Sequence, residues 1–252
     1  MKLNILIAAM LFVIYCNACK QPYKVKSYSG ENVSVDSSFT ADSAMDSFIK
    51  PYKENIAAKM DRIIGVSEKE LQAYKPESAL SNFVSDVIQQ KANEFLISNN
   101  ADSLSLLTLM NVKGLRAPIP KGDISVRNIF ELMPFENEIV ILALSGDSIE
   151  AFFDYLGKIR GDGIAGASVR YSGTKTIEVL IDGKPMDRTK NYFLATSDYL
   201  ANGGDYFGMI MNPIYRVSIN CNLRDAIIER IEQKNSTGEM ITAEVEGRII
   251  FN

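Results

Sequence analysis

The chain has 252 residues, of which 46% are hydrophobic and 23% charged, a balance typical of a globular protein with a buried core. The formal net charge of -4 provides no basic stripe and argues against a nucleic-acid partner. The sequence contains no histidine, which excludes Ser-His-Asp and Cys-His catalysis and any histidine-ligated zinc or iron site within these residues. A carboxylate-only magnesium site stays open in principle, but no acidic cluster stands out by its spacing.

The N-terminal segment is typical of a secretory signal. A lysine precedes an apolar run over residues 3–14, which is too short to span a bilayer unaided, although a transmembrane anchor is the alternative. Cys19 follows the small residue Ala18 and is favoured over Cys16 as the processed position, in a pattern that resembles the lipobox of bacterial lipoproteins. We therefore expect a signal peptide over residues 1–18 and a lipid on Cys19. The protein would then be anchored to a membrane of the bacterial cell envelope, facing the periplasm or the cell surface.

A polar segment follows the predicted lipidation site. Residues 19–42 are rich in Ser, Asp, Lys and Tyr without an apolar period, which predicts a tether. We expect one folded domain over residues 43–252. Its first helix is predicted to begin near Pro51, with an apolar stripe facing the core; the stripe consists of Tyr52, Ile56, Met60, Ile63 and Ile64.

Helices and strands then alternate along the chain. Apolar positions at helical spacing predict a helix from Leu80 to Leu96, opened by the acidic Glu77, and short apolar runs predict buried strands. The further elements expected are a strand 104–110, a short helix ending at 133, a strand 138–144, a helix 147–156, a glycine-rich loop 161–166, strands 169–171, 177–181 and 192–196, a helix 223–233 and a closing strand 243–250. This order predicts an α+β (mixed α/β) fold, with layered helices packed on a mixed β-sheet.

Three polar loops are candidates for ligand binding. In the segment 111–116, a glycine near Arg116 lets the backbone approach a ligand while the guanidinium binds paired oxygens, although a solvated turn fits equally. The segment 200–207 combines Gly203 and Gly204 with two aromatic residues, which would suit a flat ring. Its alternative is a glycine turn with Phe207 in the core. The loop 160–166 is either a lid or a simple connector.

Several segments, taken in order, resemble the C-terminal domain of the 5'-nucleotidase and UDP-sugar hydrolase family. The resemblance spans roughly Met45 to Phe251 and is carried by the segments 77–86, 111–116, 122–124, 133–137, 145–147, 192–196, 200–207 and 246–249. It departs from the family at Lys113 and Tyr206, where glycine is usual, and at Lys75-Pro76, where an arginine is common.

The resemblance implies a nucleoside or nucleotide ligand with its base stacked between aromatic rings. It implies that Asn111, Gly114 and Arg116 contact the ligand. It also implies that the turn of Gly203, Gly204 and Asp205 shapes the pocket and that Phe207 is one stacking face. The second aromatic residue is expected near the loop 161–166, where this sequence has none.

In that family a separate metallophosphoesterase domain holds two metals and cleaves the phosphate ester. We expect no cofactor or metal in this chain, with divalent metals only in a catalytic partner. The leading hypothesis is the nucleotide-binding half of a split 5'-nucleotidase that works with a separately encoded metallophosphoesterase. The alternatives are a stand-alone nucleoside- or nucleotide-binding lipoprotein and a non-catalytic interaction scaffold.

Overall fold

The computed structural model describes residues 25–36, 38–101 and 103–252. The chain forms two compact units, and the boundary between them lies between Ile49 and Lys50. The described residues up to position 42 are exposed and contain no helix or strand. The predicted signal peptide and Cys19 lie outside the described residues, and the predicted tether boundaries stay predictions. Within the described part of the chain, no helix has the length and apolar character needed to cross a bilayer.

The first helix, α1, spans Ser43–Met60 and differs from its prediction. It begins at Ser43 because the Asp42 carboxylate accepts hydrogen bonds from the backbone N–H groups of Ala44 and Met45, at 2.9 and 3.0 Å, which caps the helix. Pro51 therefore lies inside the helix, and none of its residues is buried. The predicted core-facing stripe was wrong because its last two members, Ile63 and Ile64, belong to a strand.

The second helix, α2, spans Ala79–Ser98 and confirms the predicted helix. Ser78 and Ser81 form a reciprocal capping box, which satisfies free N–H groups at the helix start. Glu77, expected to act on the helix dipole, instead accepts hydrogen bonds from the Asn82 side chain and from the backbone N–H groups of Glu246 and Ile249. It joins the start of α2 to the C-terminal segment.

Three of the remaining helices were predicted: α3 (Val126–Leu132), α4 (Gly146–Lys158) and α6 (Leu223–Ser236). The short helix α5 (Asp198–Ala201) was not predicted. The strands are β1 (Ile63–Ser67), β2 (Leu106–Met110), β3 (Gly122–Ser125), β4 (Glu138–Ser145), β5 (Gly163–Ala165), β6 (Ala167–Ser172), β7 (Lys175–Ile181), β8 (Lys184–Pro185), β9 (Asn191–Ser197), β10 (Tyr215–Asn222) and β11 (Ile249–Phe251).

Strands in the described residues form three sheets. The central sheet has the order β10-β4-β9-β2-β5; a second has the order β11-β6-β7-β8; and β1 pairs with β3. In the central sheet β2 and β9 run parallel, while the other pairs are antiparallel. The sheet is thus mixed, as predicted.

Both faces of the central sheet are buried. Ile139, Ile141 and Ala143 of β4 face a core that contains residues of α2, α3 and α6. The alternate residues Val140, Leu142 and Leu144 face a second core that contains α4 and the β6–β7 strands. The alternation follows from the two-residue period of a strand. The result is a layered structure in which helices cover one face and α4 with the second sheet covers the other, which confirms the predicted fold class.

Two further predicted segments differ from the structure, and the strands β1, β3, β8 and β10 were not predicted. The loop 161–166 is not an open lid, because its residues Gly163–Ala165 form β5 and pair with β2. The closing strand predicted over residues 243–250 is confined to Ile249–Phe251, since the residues before it have no strand partner. Strand β10 was not predicted, because most of its side chains are exposed or half-buried and lack a strict alternation.

Candidate functional site

The candidate site lies at one edge of the central sheet. Since β2 and β9 are parallel neighbours, their C-terminal ends meet at this edge, which is where ligands bind in many sheets. Strands β4 and β5 are antiparallel to these neighbours, so their N-terminal ends lie at the same edge. Four chain segments converge there: the loop after β2, the turn after β9, the segment before β4 and the residue before β5.

The loop after β2 carries Asn111 and turns through a short 3-10 helix, Val112–Gly114. Gly114 is required for close packing, because a Cβ atom at this position would lie 2.7 Å from the Asn111 Oδ1 atom and 2.7 Å from the Met110 methyl group. Asp162, just before β5, accepts a hydrogen bond from the Val112 backbone N–H at 2.9 Å. The loop is therefore held by the close packing at Gly114 and by the hydrogen bond between Val112 and Asp162.

Asp205 is the centre of the turn after β9. Its Oδ2 atom accepts a hydrogen bond from the Asn111 side chain at 2.7 Å, and its Oδ1 atom accepts one from the Tyr199 hydroxyl at 3.2 Å. The Tyr155 hydroxyl of α4 donates to the Asp205 carbonyl oxygen at 2.8 Å. Gly204 makes room for the Tyr199 ring, because a Cβ atom would lie 2.4 Å from it. The predicted turn and the predicted Asn111 loop are thus joined directly.

The segment before β4 supplies a ring and an amide. Phe135 is 40% exposed, and the Arg116 guanidinium carbon lies 5.9 Å from the centre of its ring, within the range of a cation–π contact. The segment is held by the Leu223 backbone N–H, which donates to the Asn137 carbonyl at 2.9 Å, and by Arg224, whose Nη2 atom lies 2.5 Å from Glu136. These two interactions therefore hold in place the segment that carries Phe135.

Together these segments line a cavity of about 310 Å³, at the lower end of the range for small-molecule sites. Its walls are Asn111, Lys113, Gly114, Arg116, Phe135, Asn137, Tyr199 and Asp205. Four predicted site residues, Asn111, Gly114, Arg116 and Asp205, are thus brought together. A larger groove, about 570 Å³, lies along α2 and contains none of the predicted site residues, so size alone does not identify the candidate site.

The cavity has a cationic and an acidic part. Neither the Lys113 nor the Arg116 side chain forms a hydrogen bond or salt bridge with another described residue. Asp205, by contrast, is a carboxylate already bonded to Asn111 and Tyr199. Cations without an ion-pair partner attract the anionic group of a ligand, and a carboxylate accepts hydrogen bonds from the ligand's hydroxyl or amino groups.

The structure places Phe207 differently from the expected stacking position. Its side chain is fully buried, and its ring packs edge-on against Tyr155 at 5.1 Å between ring centres. Phe207 therefore belongs to the core beside the cavity, as the alternative interpretation of the glycine turn anticipated. Gly203 and Gly204 shape the turn without lining the cavity. The neighbouring Tyr206 is 87% exposed.

Four cavity residues were not among the predicted contacts: Lys113, Phe135, Asn137 and Tyr199. Phe135 and Asn137 lie in the segment 133–137, which carried part of the family resemblance but was not expected to contact the ligand. A second aromatic residue had been expected near residues 161–166, but the ring at the cavity comes from the segment before β4. The signal that could have located it is Pro134, which ends the helix and precedes an aromatic residue just before a buried strand.

Burial raises the pKa of two side chains beside the cavity. Burial raises the pKa of the Asp162 carboxyl above its usual value, although the Val112 N–H and the Lys75 ammonium, 3.5 Å away, oppose the change. Burial also raises the pKa of the Tyr155 hydroxyl, with contributions from Asp205, Asp162 and Tyr206. Tyr155 thus stays neutral and donates to the Asp205 carbonyl at neutral pH.

The described residues contain no group of three or more Cys, Asp or Glu side chains placed to hold a metal ion. The cavity itself offers a single carboxylate among its lining residues, which does not fit the ligand sets of catalytic metal ions. The expectation about metals in this chain stays a prediction.

The sequence profile described as the C-terminal domain of 5'-nucleotidase matches residues 58–212. The chain belongs to this family. All residues lining the cavity of this 5'-nucleotidase C-terminal domain fall within the matched range.

Related proteins and structures agree with the assignment. Protein UshA of Escherichia coli (strain K12) is 24% identical over 213 residues, which cover 81% of this chain and 37% of that protein. An apyrase of Tabanus yao is 24% identical over 249 residues, covering 88% of this chain and 44% of its own. The crystal structure of a 5'-nucleotidase precursor from Thermus thermophilus superposes with a TM-score of 0.67 at 24% identity, over 82% of this chain and 42% of that one.

A second structure, a putative 5'-nucleotidase of Staphylococcus aureus, gives a TM-score of 0.66 at 16% identity and covers 86% of this chain and 46% of that one. At these identities the superpositions establish the fold of the 5'-nucleotidase C-terminal domain. The chain spans less than half the length of each of these four relatives.

Proposed function

We propose that this chain is the nucleoside- or nucleotide-binding half of a 5'-nucleotidase and that its ligand occupies the cavity between Asn111, Arg116, Phe135 and Asp205. The observation that carries the proposal is the combination of groups in one cavity. Two cations without a hydrogen-bond or ion-pair partner among the described residues, an exposed aromatic ring and a carboxylate lie together at the sheet edge. These groups match the phosphate, the base and the hydroxyl groups of a nucleotide.

Lys113 and Arg116 would bind the phosphate. A hydrogen bond to a charged group contributes about 1.5–3 kcal/mol, so Arg116→Ala is expected to weaken AMP binding by about 10- to 150-fold. Adenosine, which lacks the phosphate, should lose less affinity. Arg170→Ala is the matched control, because Arg170 is a half-exposed arginine on β6, outside the cavity. The measurement is calorimetric titration of the full chain with AMP, adenosine and UDP-glucose.

The proposal would be contradicted if the full chain showed no saturable binding of any of these ligands at millimolar concentration. It would also be contradicted if Arg170→Ala weakened AMP binding as much as Arg116→Ala. Equal loss would mean that the general surface charge, rather than the cavity, attracts the nucleotide.

The phosphate ester would be cleaved by a metal centre outside these residues, since the cavity holds no suitable ligand set. We propose that a separately encoded metallophosphoesterase supplies it. The purified chain should release no phosphate from AMP, and a metallophosphoesterase encoded in the same genome should release phosphate faster when the chain is added. The gain should disappear with Arg116→Ala. A partner whose rate is the same with and without the chain would contradict the pairing.

The chain would carry out this role at the cell envelope through a lipid on Cys19. Expression with a radiolabelled fatty acid should label the wild-type protein and not Cys19→Ala, whereas Cys16→Ala should still be labelled after processing. Labelling of Cys19→Ala would overturn the assignment of the lipid to this residue.

A further inference from the structure

Lys75 and Asp162 form a part-buried ion pair behind the loop that carries Asn111. The Asp162 side chain is 3% exposed and that of Lys75 is 28% exposed, and 3.5 Å separates the Lys75 Nζ atom from Asp162 Oδ2. Neither residue lines the cavity. A carboxylate withdrawn this far from water needs a partner of opposite charge. Among the described residues, Lys75 is the cation that forms an ion pair with it.

The two carboxylate oxygen atoms of Asp162 face different elements. Oδ2 faces Lys75, whereas Oδ1 accepts the hydrogen bond from the Val112 N–H at 2.9 Å. Val112 directly follows Asn111, whose side chain donates to Asp205 in the cavity wall at 2.7 Å. Lys75 is therefore connected to the cavity through one carboxylate and one backbone N–H group.

The Lys75 side chain is itself held in place. Its Nζ atom donates to the Ile159 carbonyl oxygen at 2.9 Å, at the end of α4. The backbone segments on either side are closely packed, since a Cβ atom on Gly161 would lie 2.4 Å from the Pro76 carbonyl oxygen. The position of the ammonium group beside Asp162 is thus set by packed backbone segments, unlike that of a mobile surface lysine.

The charge on Asp162 affects how strongly it holds the loop. Burial raises the pKa of the Asp162 carboxyl, the Val112 N–H and the Lys75 ammonium lower it, and the Asp205 carboxylate raises it further. Tyr155 is another titratable group that interacts with this carboxylate. A hydrogen bond to a carboxylate is about twice as strong as one to a neutral acceptor. By favouring the ionised form, Lys75 strengthens the hydrogen bond to the loop, although the buried charge costs stability.

We infer that Lys75 is a positioning residue of the nucleoside site, which acts through Asp162 on the loop that carries Asn111. This inference rests on the proposed function and adds to it a residue outside the cavity that sets the affinity. Lys75 does not contact the ligand in this role. It keeps the loop in the binding arrangement, and the apparent dissociation constant rises in inverse proportion to the fraction of molecules in that arrangement.

Lys75→Met removes the charge and keeps the length of the side chain. It should weaken adenosine binding to the full chain by about 3- to 10-fold near neutral pH, because a charge-assisted hydrogen bond becomes an ordinary one. The loss should shrink as the pH is raised, since Asp162 without its cation ionises at a higher pH. Lys75→Arg keeps the charge and should restore the wild-type affinity and pH profile. The measurement is calorimetric titration with adenosine from about pH 5 to about pH 9.

Lys91→Met is the matched control. Lys91 is also a part-buried lysine, with a side chain that is 15% exposed and an Nζ atom 2.7 Å from Glu229. It joins α2 to α6 and does not line the cavity. Its replacement should lower the melting temperature without changing the adenosine affinity. This control separates a loss of stability, which either lysine can cause, from a loss of affinity caused by Lys75.

A double-variant cycle tests whether Lys75 acts through Asp162. Asp162→Asn keeps an oxygen acceptor for the Val112 N–H but carries no charge, so it should weaken adenosine binding by a similar factor and show no recovery at high pH. Adding Lys75→Met to this variant should cause no further loss, because the two residues act as one unit. Asp162→Asn also provides an independent perturbation if Lys75→Met does not fold.

The outcomes distinguish this inference from the proposed function. If the wild type binds adenosine and Lys75→Met binds it equally well across the pH range, the inference about Lys75 is wrong while the cavity remains the nucleoside site. Losses that multiply in the double variant, or a failure of Lys75→Arg to restore affinity, would also overturn it, because Lys75 would then not act through the charge of Asp162. If the wild type binds neither adenosine nor AMP, the proposed function fails and the inference fails with it.

Discussion

Phe207 is expected to stabilise the fold rather than to bind ligand, and its truncation tests this. The side chain is fully buried, with ring centres 6.1 Å from Phe152 and 5.1 Å from Tyr155. Replacing a buried phenylalanine by alanine costs about 3–5 kcal/mol, because transfer free energy is lost and a cavity remains. For a unit of about 200 residues, each kcal/mol lowers the melting temperature by about 2–4 °C. The expected decrease is therefore about 6–20 °C.

The measurements are thermal melting and urea unfolding of the full chain, both followed by far-UV circular dichroism. Phe207→Leu should lose less stability than Phe207→Ala, because it leaves a smaller cavity, and it provides a folded variant if the alanine variant does not fold. Tyr206→Ala is the control and should change the free energy of unfolding by no more than about 0.5 kcal/mol, as is usual for exposed positions. The burial of Phe207 would be refuted if Phe207→Ala unfolded at the wild-type urea concentration.

Three further predictions concern residues around the site. Glu77→Gln should lower the free energy of unfolding by about 2–4 kcal/mol, because a buried carboxylate that accepts three hydrogen bonds is replaced by an amide whose NH₂ group faces donors; an unchanged urea midpoint would contradict this. The raised pKa of Asp162 means that its stabilising contribution is complete below the pKa of the unfolded chain, near 3.8, and is lost as the pH rises through the folded-state pKa. The stability of the wild type relative to Asp162→Asn should therefore fall as the pH rises above the unfolded-chain value near 3.8, whereas a difference that does not change with pH would refute the raised pKa. Gly114→Ala should weaken AMP binding by about tenfold, since its Cβ atom displaces Asn111, and calorimetry showing wild-type affinity would contradict the close-packing argument.

Much of the fold could be predicted because its central elements bury long apolar runs. Strands β2 and β4 are almost wholly buried, and α2 and α4 have regular apolar periods, so their patterns indicate one conformation. Strand β10 lies at the sheet edge, where half-exposed positions weaken the pattern. The region around Pro51 was misplaced because helix α1 buries no side chain, and its apolar residues therefore say little about where it begins.

The site was predictable where glycines and polar residues follow strands. This pattern indicated Asn111, Gly114 and Arg116, whereas Asp205 was indicated by the family resemblance; all four line the candidate cavity, and their contact with a ligand stays a prediction. The choice between Tyr206 and Phe207 could not be made from composition, because the two rings are adjacent and the backbone angles of one turn decide which is buried. Phe135 was overlooked because its segment reaches the cavity only through the antiparallel pairing of β4 with β9.

The contacts of Glu77 have a consequence for how the chain folds. Its carboxylate joins residues 172 positions apart when it binds the Ile249 N–H, and β11 pairs with β6 although many residues separate the two strands. Closing so large a loop costs entropy that is recovered only after the intervening elements have formed. Docking of the C-terminal segment is therefore expected to be a late event. Until it occurs, the edge of β6 and the Tyr171 ring that stacks on Phe251 are open to other strands, and nascent or refolding chains are most prone to aggregation during this interval.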